Sequence, residues 1–216
     1  MSPRHKTIDR SRPDVSRQKW VSVSHLARCL APLTGKFLSL GVNVLYTLKA
    51  GLWGLLLAIS SIATAQTDNI SIFSDFDGEP QRLESYTGGG KWLVVMIWAS
   101  DCHVCNTEAA GYAAFHNKQQ DKEVAVLGIS MDGEEKKAAA LDFIKRHELP
   151  FPNLIGEPGI TSLYYASLTK ESLLGTPTFL IFDPDGQLAA AQAGAVPPDS
   201  VERFIAAKNK ARSAAQ

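Results

Sequence analysis

The sequence predicts an α/β fold, a central mixed sheet flanked by helices, and three observations predict it. Residues 91–98 (Lys-Trp-Leu-Val-Val-Met-Ile-Trp) and 123–130 (Glu-Val-Ala-Val-Leu-Gly-Ile-Ser) are continuous apolar runs of strand length, rich in β-branched and aromatic residues. Such runs read as strands buried on both faces. Each is followed by a segment that can form a helix, and strand–helix–strand–helix implies parallel pairing through right-handed crossovers. Two further strands, 178–182 and 187–192, are joined by Asp183-Pro184-Asp185-Gly186, a hairpin signal that adds an antiparallel pair.

The elements follow in order. After the first strand, residues 103–118 form a helix; after the second, residues 134–147 form another, with Leu141 and Ile144 on one face. The hairpin strands come next. The chain closes with a helix for which Asp199 is the N-cap, Glu202 follows three residues on, and Val201, Phe204 and Ile205 face the core. The order read from the residues is β-α-β-α-β-β-α.

This body occupies only part of the 216 residues. Lys plus Arg and Asp plus Glu both total 22, but the balance is uneven. Residues 1–49 carry nine basic and two acidic side chains, residues 66–216 thirteen basic and twenty acidic. An acidic body without a basic cluster argues against a nucleic-acid partner, because phosphate contacts need Lys and Arg. Between the two parts lies an uncharged apolar run of 13 residues, 50–62, preceded by Lys49 and followed by Ala63-Thr64-Ala65. That is the layout of a secretory signal, and the run is shorter than the roughly 18 to 20 residues that cross a bilayer comfortably. Cleavage after Ala65 is the favoured expectation. An uncleaved anchor, lengthened by the weaker apolar residues 42–48 with Lys49 snorkelling, is the competing one. Either places the body outside the cytoplasm, in the periplasm or an equivalent compartment. The division is therefore a leader, 1–65, and one domain, 66–216. Residues 1–41 are long, polar and basic for a leader, which suggests that translation starts nearer Val42 or Val44.

Of three cysteines, Cys29 lies in the leader, and Cys102 and Cys105 stand as Cys-His-Val-Cys directly after the first buried strand and at the start of the helix. Unpaired N–H groups and the partial positive charge of a helix start favour thiolate over thiol, so Cys102 is the expected attacking sulfur. Cys105, one turn on, is the expected resolving thiol, close enough to expel a product from a mixed disulfide. Asp101 opposes the thiolate, whereas His103, when protonated, and the helix start support it. Glu108 lies three residues beyond Cys105 on the same helical side, where it can take the proton from Cys105. His116 and His147 have no such context and read as structural or solvent-facing. A zinc site would need four ligands, and the five histidines (5, 25, 103, 116, 147) lack ligand spacing. No metal or other cofactor is expected beyond the redox-active cysteine pair. A static disulfide across so small a loop would add little stability.

The stretch from Trp98 to Cys105, followed some 70 residues later by Gly175-Thr176-Pro177-Thr178-Phe179, resembles the thioredoxin superfamily. Asp77-Gly78, Leu83, Gly90-Lys91, the Cys-x-x-Cys-x-x-Glu spacing, Leu149-Pro150-Phe151-Pro152 and the Asp-Pro-Asp-Gly hairpin resemble, more closely, the TlpA/ResA-like extracytoplasmic thiol–disulfide oxidoreductases. The likeness covers about residues 68–208. It implies a thioredoxin-like fold with an N-terminal β extension and a helical insertion, a Cys102–Cys105 redox pair with Glu108 beside it, and a cis bond at Pro177 in a loop facing the disulfide. Thr176 and Pro177, with Trp98 and His103 around the cysteines, are the candidate substrate-binding residues. Implied partners are disulfide-containing proteins and a membrane thiol-reductase that supplies electrons to a monomer. The chain departs from thioredoxin in having Asp101 where a tryptophan stands and Met96 where a buried aspartate stands, which shifts proton handling to Glu108. The His103-Val104 dipeptide is also unusual, and the redox potential depends on it.

The function expected is therefore reduction of disulfides in extracytoplasmic proteins. Two alternatives stay open. A peroxiredoxin-type thiol peroxidase shares the N-terminal extension, but it places a threonine where this chain has Ala99. A Sco-like copper-binding chaperone would use two cysteines and a histidine late in the chain, yet no histidine follows His147.

Overall fold

The computed structural model describes residues 71–119 and 122–214. The apolar run 50–62, the expected cleavage site after Ala65, and Cys29 lie outside the described residues. So does the rest of the leader, 1–65.

One seven-stranded sheet organises the domain, in the order β2-β1-β5-β4-β3-β6-β7. Its centre is β3 (Trp92–Trp98), all seven residues of which are buried. β4 (Val124–Ser130) runs parallel to it in the register Trp92↔Val124 to Trp98↔Ser130, and β6 (Thr178–Phe182) runs antiparallel on its other side. β7 (Leu188–Ala193) pairs antiparallel with β6 through the 183–186 turn, with a bulge between Ile181 and Phe182. On the far edge, β5 (Asn153–Ile155) is parallel to β4, and the short strands β1 (Phe73–Ser74) and β2 (Pro80–Gln81) add antiparallel to it. The sheet is mixed, with the N-terminal β extension in place.

Because side chains alternate along a strand, β3 feeds two cores. Trp92, Val94, Met96 and Trp98 face α1 (His103–Gln119), α2 (Lys137–Arg146) and α4 (Pro198–Ser213), meeting Cys105, Tyr112, Phe143, Val201 and Ile205. Leu93, Val95 and Ile97 face the opposite side, where Tyr165 of α3 (Pro158–Thr169) packs with Leu83 and Phe73. Burial on both faces is why 91–98 is apolar without interruption.

Three local expectations are corrected. β5 and α3 were absent from the element order read residue by residue: β5 is only three residues long, and α3 begins Pro158-Gly159 with no clean apolar period. α2 starts at Lys137, after a turn at 134–136, and it buries Ala140 and Phe143, whereas Leu141 is 44% exposed. Ile144 does pack on the core. α4 starts two residues earlier than expected, at Pro198, with Pro197 as N-cap. Asp199 thus makes no capping bond and instead places negative charge in the first turn, where the helix dipole favours it.

Gly128 is required by a close approach. A Cβ there would run into the Asn153 side chain and the Trp98 indole nitrogen, which hydrogen-bond to each other across it (Nε1 to Oδ1, 3.2 Å).

Candidate active site at the start of α1

The chain leaves the central strand at Trp98, turns through residues 99–101 and enters α1 at His103. A β–loop–α junction at the carboxyl end of parallel strands leaves helix N–H groups without intrahelical partners. α1 runs 17 residues with no acidic side chain in its first turn, so nothing there cancels the positive end of its dipole.

Cys102 and Cys105 are joined by a disulfide with their Cα atoms 5.2 Å apart. The two sulfurs are not equivalent. Cys105 is 0% exposed and belongs to the core, whereas Cys102 is half-buried. The Cys105 backbone N–H donates to Cys102 Sγ at 3.0 Å. A donor aimed at that sulfur favours its negative form once the disulfide is reduced. Opposite, the Thr176 carbonyl oxygen lies 3.3 Å from the same sulfur, and as an acceptor it favours the thiol. The Thr176–Pro177 peptide, in the loop before β6, is cis. Pro177 itself is buried, its carbonyl accepting from Gly194 N–H at 2.8 Å, and Thr176 is half-buried.

The loop is clamped from below. Asp132, 6% exposed at the end of β4, accepts from Ser100 N–H at 2.9 Å, from Ser100 Oγ at 2.8 Å and from Ser130 Oγ at 2.7 Å. From the helix side, Asn106 Nδ2 donates to the Cys102 carbonyl at 2.9 Å and more weakly to Ser100 O at 3.4 Å. Asp101 pairs with Lys136 at 3.0 Å, both largely exposed, so the carboxylate that would oppose a Cys102 thiolate is partly compensated. That bond raises the Lys136 pKa. Ala99, Asp101, Asp132, Lys136, Glu157 and Thr176 line a cleft of about 360 Å³ beside the cysteines.

Glu108 lies one turn into α1 from Cys105, half-buried, and burial pushes its carboxyl up from the usual range. Among the described residues no cation pairs with it. Its charge, after burial, also raises the neighbouring Tyr112, whose phenol donates to Val196 O at 2.8 Å. A carboxyl whose pKa is raised by burial holds its proton more readily than a solvated one, which suits proton exchange. Gly111 faces Pro198 at the head of α4, where its absent Cβ would sit 3.6 Å from the ring.

Of the candidate substrate-binding residues, Thr176, Pro177 and His103 surround the disulfide, with His103 exposed at the helix start. Trp98 is a correction. It is 0% exposed, stacked on Phe143 at 4.3 Å, and its indole is turned into the core, so it supports the loop from beneath and cannot meet a substrate. The reason is strand parity: Trp98 shares the face of Trp92, Val94 and Met96, which α1 and α2 cover. Sequence reasoning missed Asp132, Lys136 and Asn106. Only Asn106, adjacent to Cys105, carried a local signal; Asp132 and Lys136 come from a loop some 30 residues away.

His116 stays neutral readily because burial lowers its pKa, and its Nδ1 is buried without a partner. His147 is not simply solvent-facing: its Nε2 meets Asn106 Oδ1 at 2.9 Å.

Comparison with known proteins agrees with this architecture. The thiol-disulfide oxidoreductase ResA of Bacillus thuringiensis subsp. konkukian is 24% identical over 134 residues, which is 62% of this chain and 72% of that protein. Alkyl hydroperoxide reductase C of Mycobacterium tuberculosis is 32% identical over 114 residues, 50% of this chain and 56% of that one. Among solved structures, a DsbF homologue from Corynebacterium diphtheriae superposes with a TM-score of 0.52 at 22% identity, covering 63% of this chain and 83% of its own. A thioredoxin family thiol:disulfide interchange protein from Chlorobium tepidum gives 0.51 at 18%, covering 61% and 87%. These two share the fold. Residues 64–191 match the AhpC/TSA family, and with that match across more than half of its length the chain belongs to the AhpC/TSA family of thioredoxin-like oxidoreductases.

Proposed function

We propose that this protein is an exported thiol–disulfide oxidoreductase that reduces disulfides of extracytoplasmic proteins through Cys102 and Cys105. The observation that carries the reading is the asymmetry of the pair: one sulfur half-buried between a helix start and the Thr176–Pro177 loop, the other sealed in the core. In the reduced protein, Cys102 thiolate attacks a substrate disulfide; one substrate sulfur leaves as a thiolate and takes a proton. The mixed disulfide that remains is opened by Cys105, whose proton passes to the Glu108 carboxylate. The second substrate thiol is released, and two electrons have moved to the substrate. A membrane dithiol carrier restores the pair. The acidic, phosphate-averse body and the apolar run 50–62 favour protein clients outside the cytoplasm over nucleic acid. The protein works as a monomer, and the sulfur pair needs no metal or organic cofactor.

The relationship to alkyl hydroperoxide reductase C favours a second reading, a thiol peroxidase, in which Cys102 attacks a peroxide and Cys105 resolves the sulfenic acid. The chain spans little more than half of that relative, and Ala99 stands where such peroxidases carry a threonine. Insulin-disulfide reduction and hydrogen peroxide consumption, measured on the same reduced sample with Cys102→Ser as control, separate the two. Catalysed insulin reduction lost in Cys102→Ser supports the proposal; peroxide turnover without insulin reduction overturns it. The reduction potential then gives direction: about −270 mV marks a reductant, about −120 mV an oxidant.

A further inference from the structure

The Asn106 amide has its orientation decided by its neighbours. Its Nδ2 faces two carbonyl oxygens, those of Cys102 and Ser100, which can only accept, so the amide oxygen must point the other way. There it meets His147 Nε2 at 2.9 Å, and since Oδ1 can only accept, that ring nitrogen carries the hydrogen. The imidazole is itself held, standing at the C-terminal end of α2 with its ring 4.5 Å from Phe143, the residue stacked on Trp98. A continuous chain of contacts thus runs from the end of α2, through one amide, to the backbone of the attacking cysteine.

We propose that His147 and Asn106 are positioning residues for Cys102: the imidazole N–H orients the amide, and the amide holds the Cys102 and Ser100 carbonyls so that the Cys105 N–H stays aimed at Cys102 Sγ. The Cys102 carbonyl already takes the backbone N–H of Asn106 at 3.1 Å, and the side-chain N–H adds a second donor to the same oxygen. Together they fix the first turn of α1, where Asp132 fixes the loop on the other side. The 3.0 Å N–H contact on the sulfur becomes a charge-assisted hydrogen bond once the thiolate forms, and its strength depends on that turn being tight. Neither residue touches a substrate. The inference rests on Cys102 being the attacking sulfur and assigns it supporting groups that the Cys-x-x-Cys spacing does not contain.

The test reads the sulfur directly. In the full chain with Cys29→Ser and Cys105→Ser, Cys102 is the one remaining cysteine, and its alkylation rate by iodoacetamide at pH 7 reports its thiolate. Asn106→Ala and His147→Ala are each expected to slow alkylation about fivefold, the size of a weakened hydrogen bond to a charged group. His147→Gln, whose side-chain amide N–H can replace the Nε2 donor, is expected within about twofold of the parent, which a loss of general stability would not produce. The double variant Asn106→Ala/His147→Ala should be no slower than Asn106→Ala alone, because His147 acts only through the amide. If an alanine variant does not fold, Asn106→Leu decides: it keeps the bulk of the side chain, adds no charge, loses both N–H donors, and must slow the reaction. A parental rate in His147→Ala or Asn106→Leu, multiplied losses in the double variant, or a slow His147→Gln overturns the proposal. Alkylation is independent of client reduction, so a chain that reduced no protein disulfide would defeat the proposed function and leave this result standing.

Discussion

Replacing Asp132 by alanine should destabilise the protein and slacken the cysteine loop. The carboxylate is 6% exposed and collects three donors: the Ser100 N–H and hydroxyl, and the Ser130 hydroxyl. Ser130 is 0% exposed, so its hydroxyl cannot find water once the carboxylate has gone. Losing one hydrogen bond to a charged group with its donor stranded costs about 1.5–3 kcal/mol. Ser100 is only half-buried, and its two donors can partly rehydrate, adding about 1 kcal/mol between them. The sum is about 2.5–4 kcal/mol, a large share of the roughly 5–15 kcal/mol by which a domain is stable. Asp132→Asn retains an acceptor and should lose about half as much. Urea denaturation of the oxidised proteins measures this as a lower midpoint at unchanged slope. A loss under about 1 kcal/mol in Asp132→Ala, with the slope preserved, would show that the carboxylate does not clamp the loop.

Glu108→Gln should slow the step in which Cys105 attacks the mixed disulfide, visible as accumulation of Cys102-linked substrate, while stabilising the fold at neutral pH. Burial raises the folded pKa of this acid above its unfolded value, so ionisation is resisted in the native state. The native chain binds more protons between the two values, and stability falls as pH rises through that window. Comparing wild type with Glu108→Gln by thermal melting from pH 4 to pH 8 should show the gap in favour of glutamine widening with pH; a constant gap would refute the assignment. Gly128→Ala forces a Cβ into the Trp98–Asn153 hydrogen bond and should cost about 2–4 kcal/mol in denaturation midpoint, whereas an effect below about 0.5 kcal/mol would mean that the contact yields freely. On α2, Phe143→Ala should cost about 3–5 kcal/mol and Leu141→Glu less than about 0.5 kcal/mol, since only the former is buried. Equal losses would place the helix face where the sequence alone put it.

Much of the architecture was legible because it is written in local patterns. An uninterrupted apolar run such as 91–98 is stable only where both faces are covered, so it announces a central strand and, with the next run, a layered α/β domain. The start of α1 and the seating of Cys102 and Cys105 on it follow from the same strand end, and the Asp183–Gly186 turn declared the hairpin. Short or weakly periodic elements left no such mark. β5, at three residues, exists because β4 offers it a ladder, and α3 because the far face of β3 needs a cover. Leu141 is exposed because Leu141/Ile144 and Ala140/Phe143 are adjoining stripes of one helix, and only packing against the sheet, with Phe143 on Trp98, selects the second.

By itself the sequence determined the chemistry on offer: two sulfurs one helical turn apart after a buried strand, a carboxylate one turn further, and a proline ahead of a later strand. Only the tertiary structure decided how those groups are held. Asp132, Lys136 and His147 reach the cysteine loop across gaps of some 30 to 40 residues, and Trp98 turns inward because α1 and α2 cover its face. Hydrogen bonds between residues so far apart have no period or spacing in the chain. They are fixed by the packing of helices on the sheet, which brings distant loops together at one end of the parallel strands.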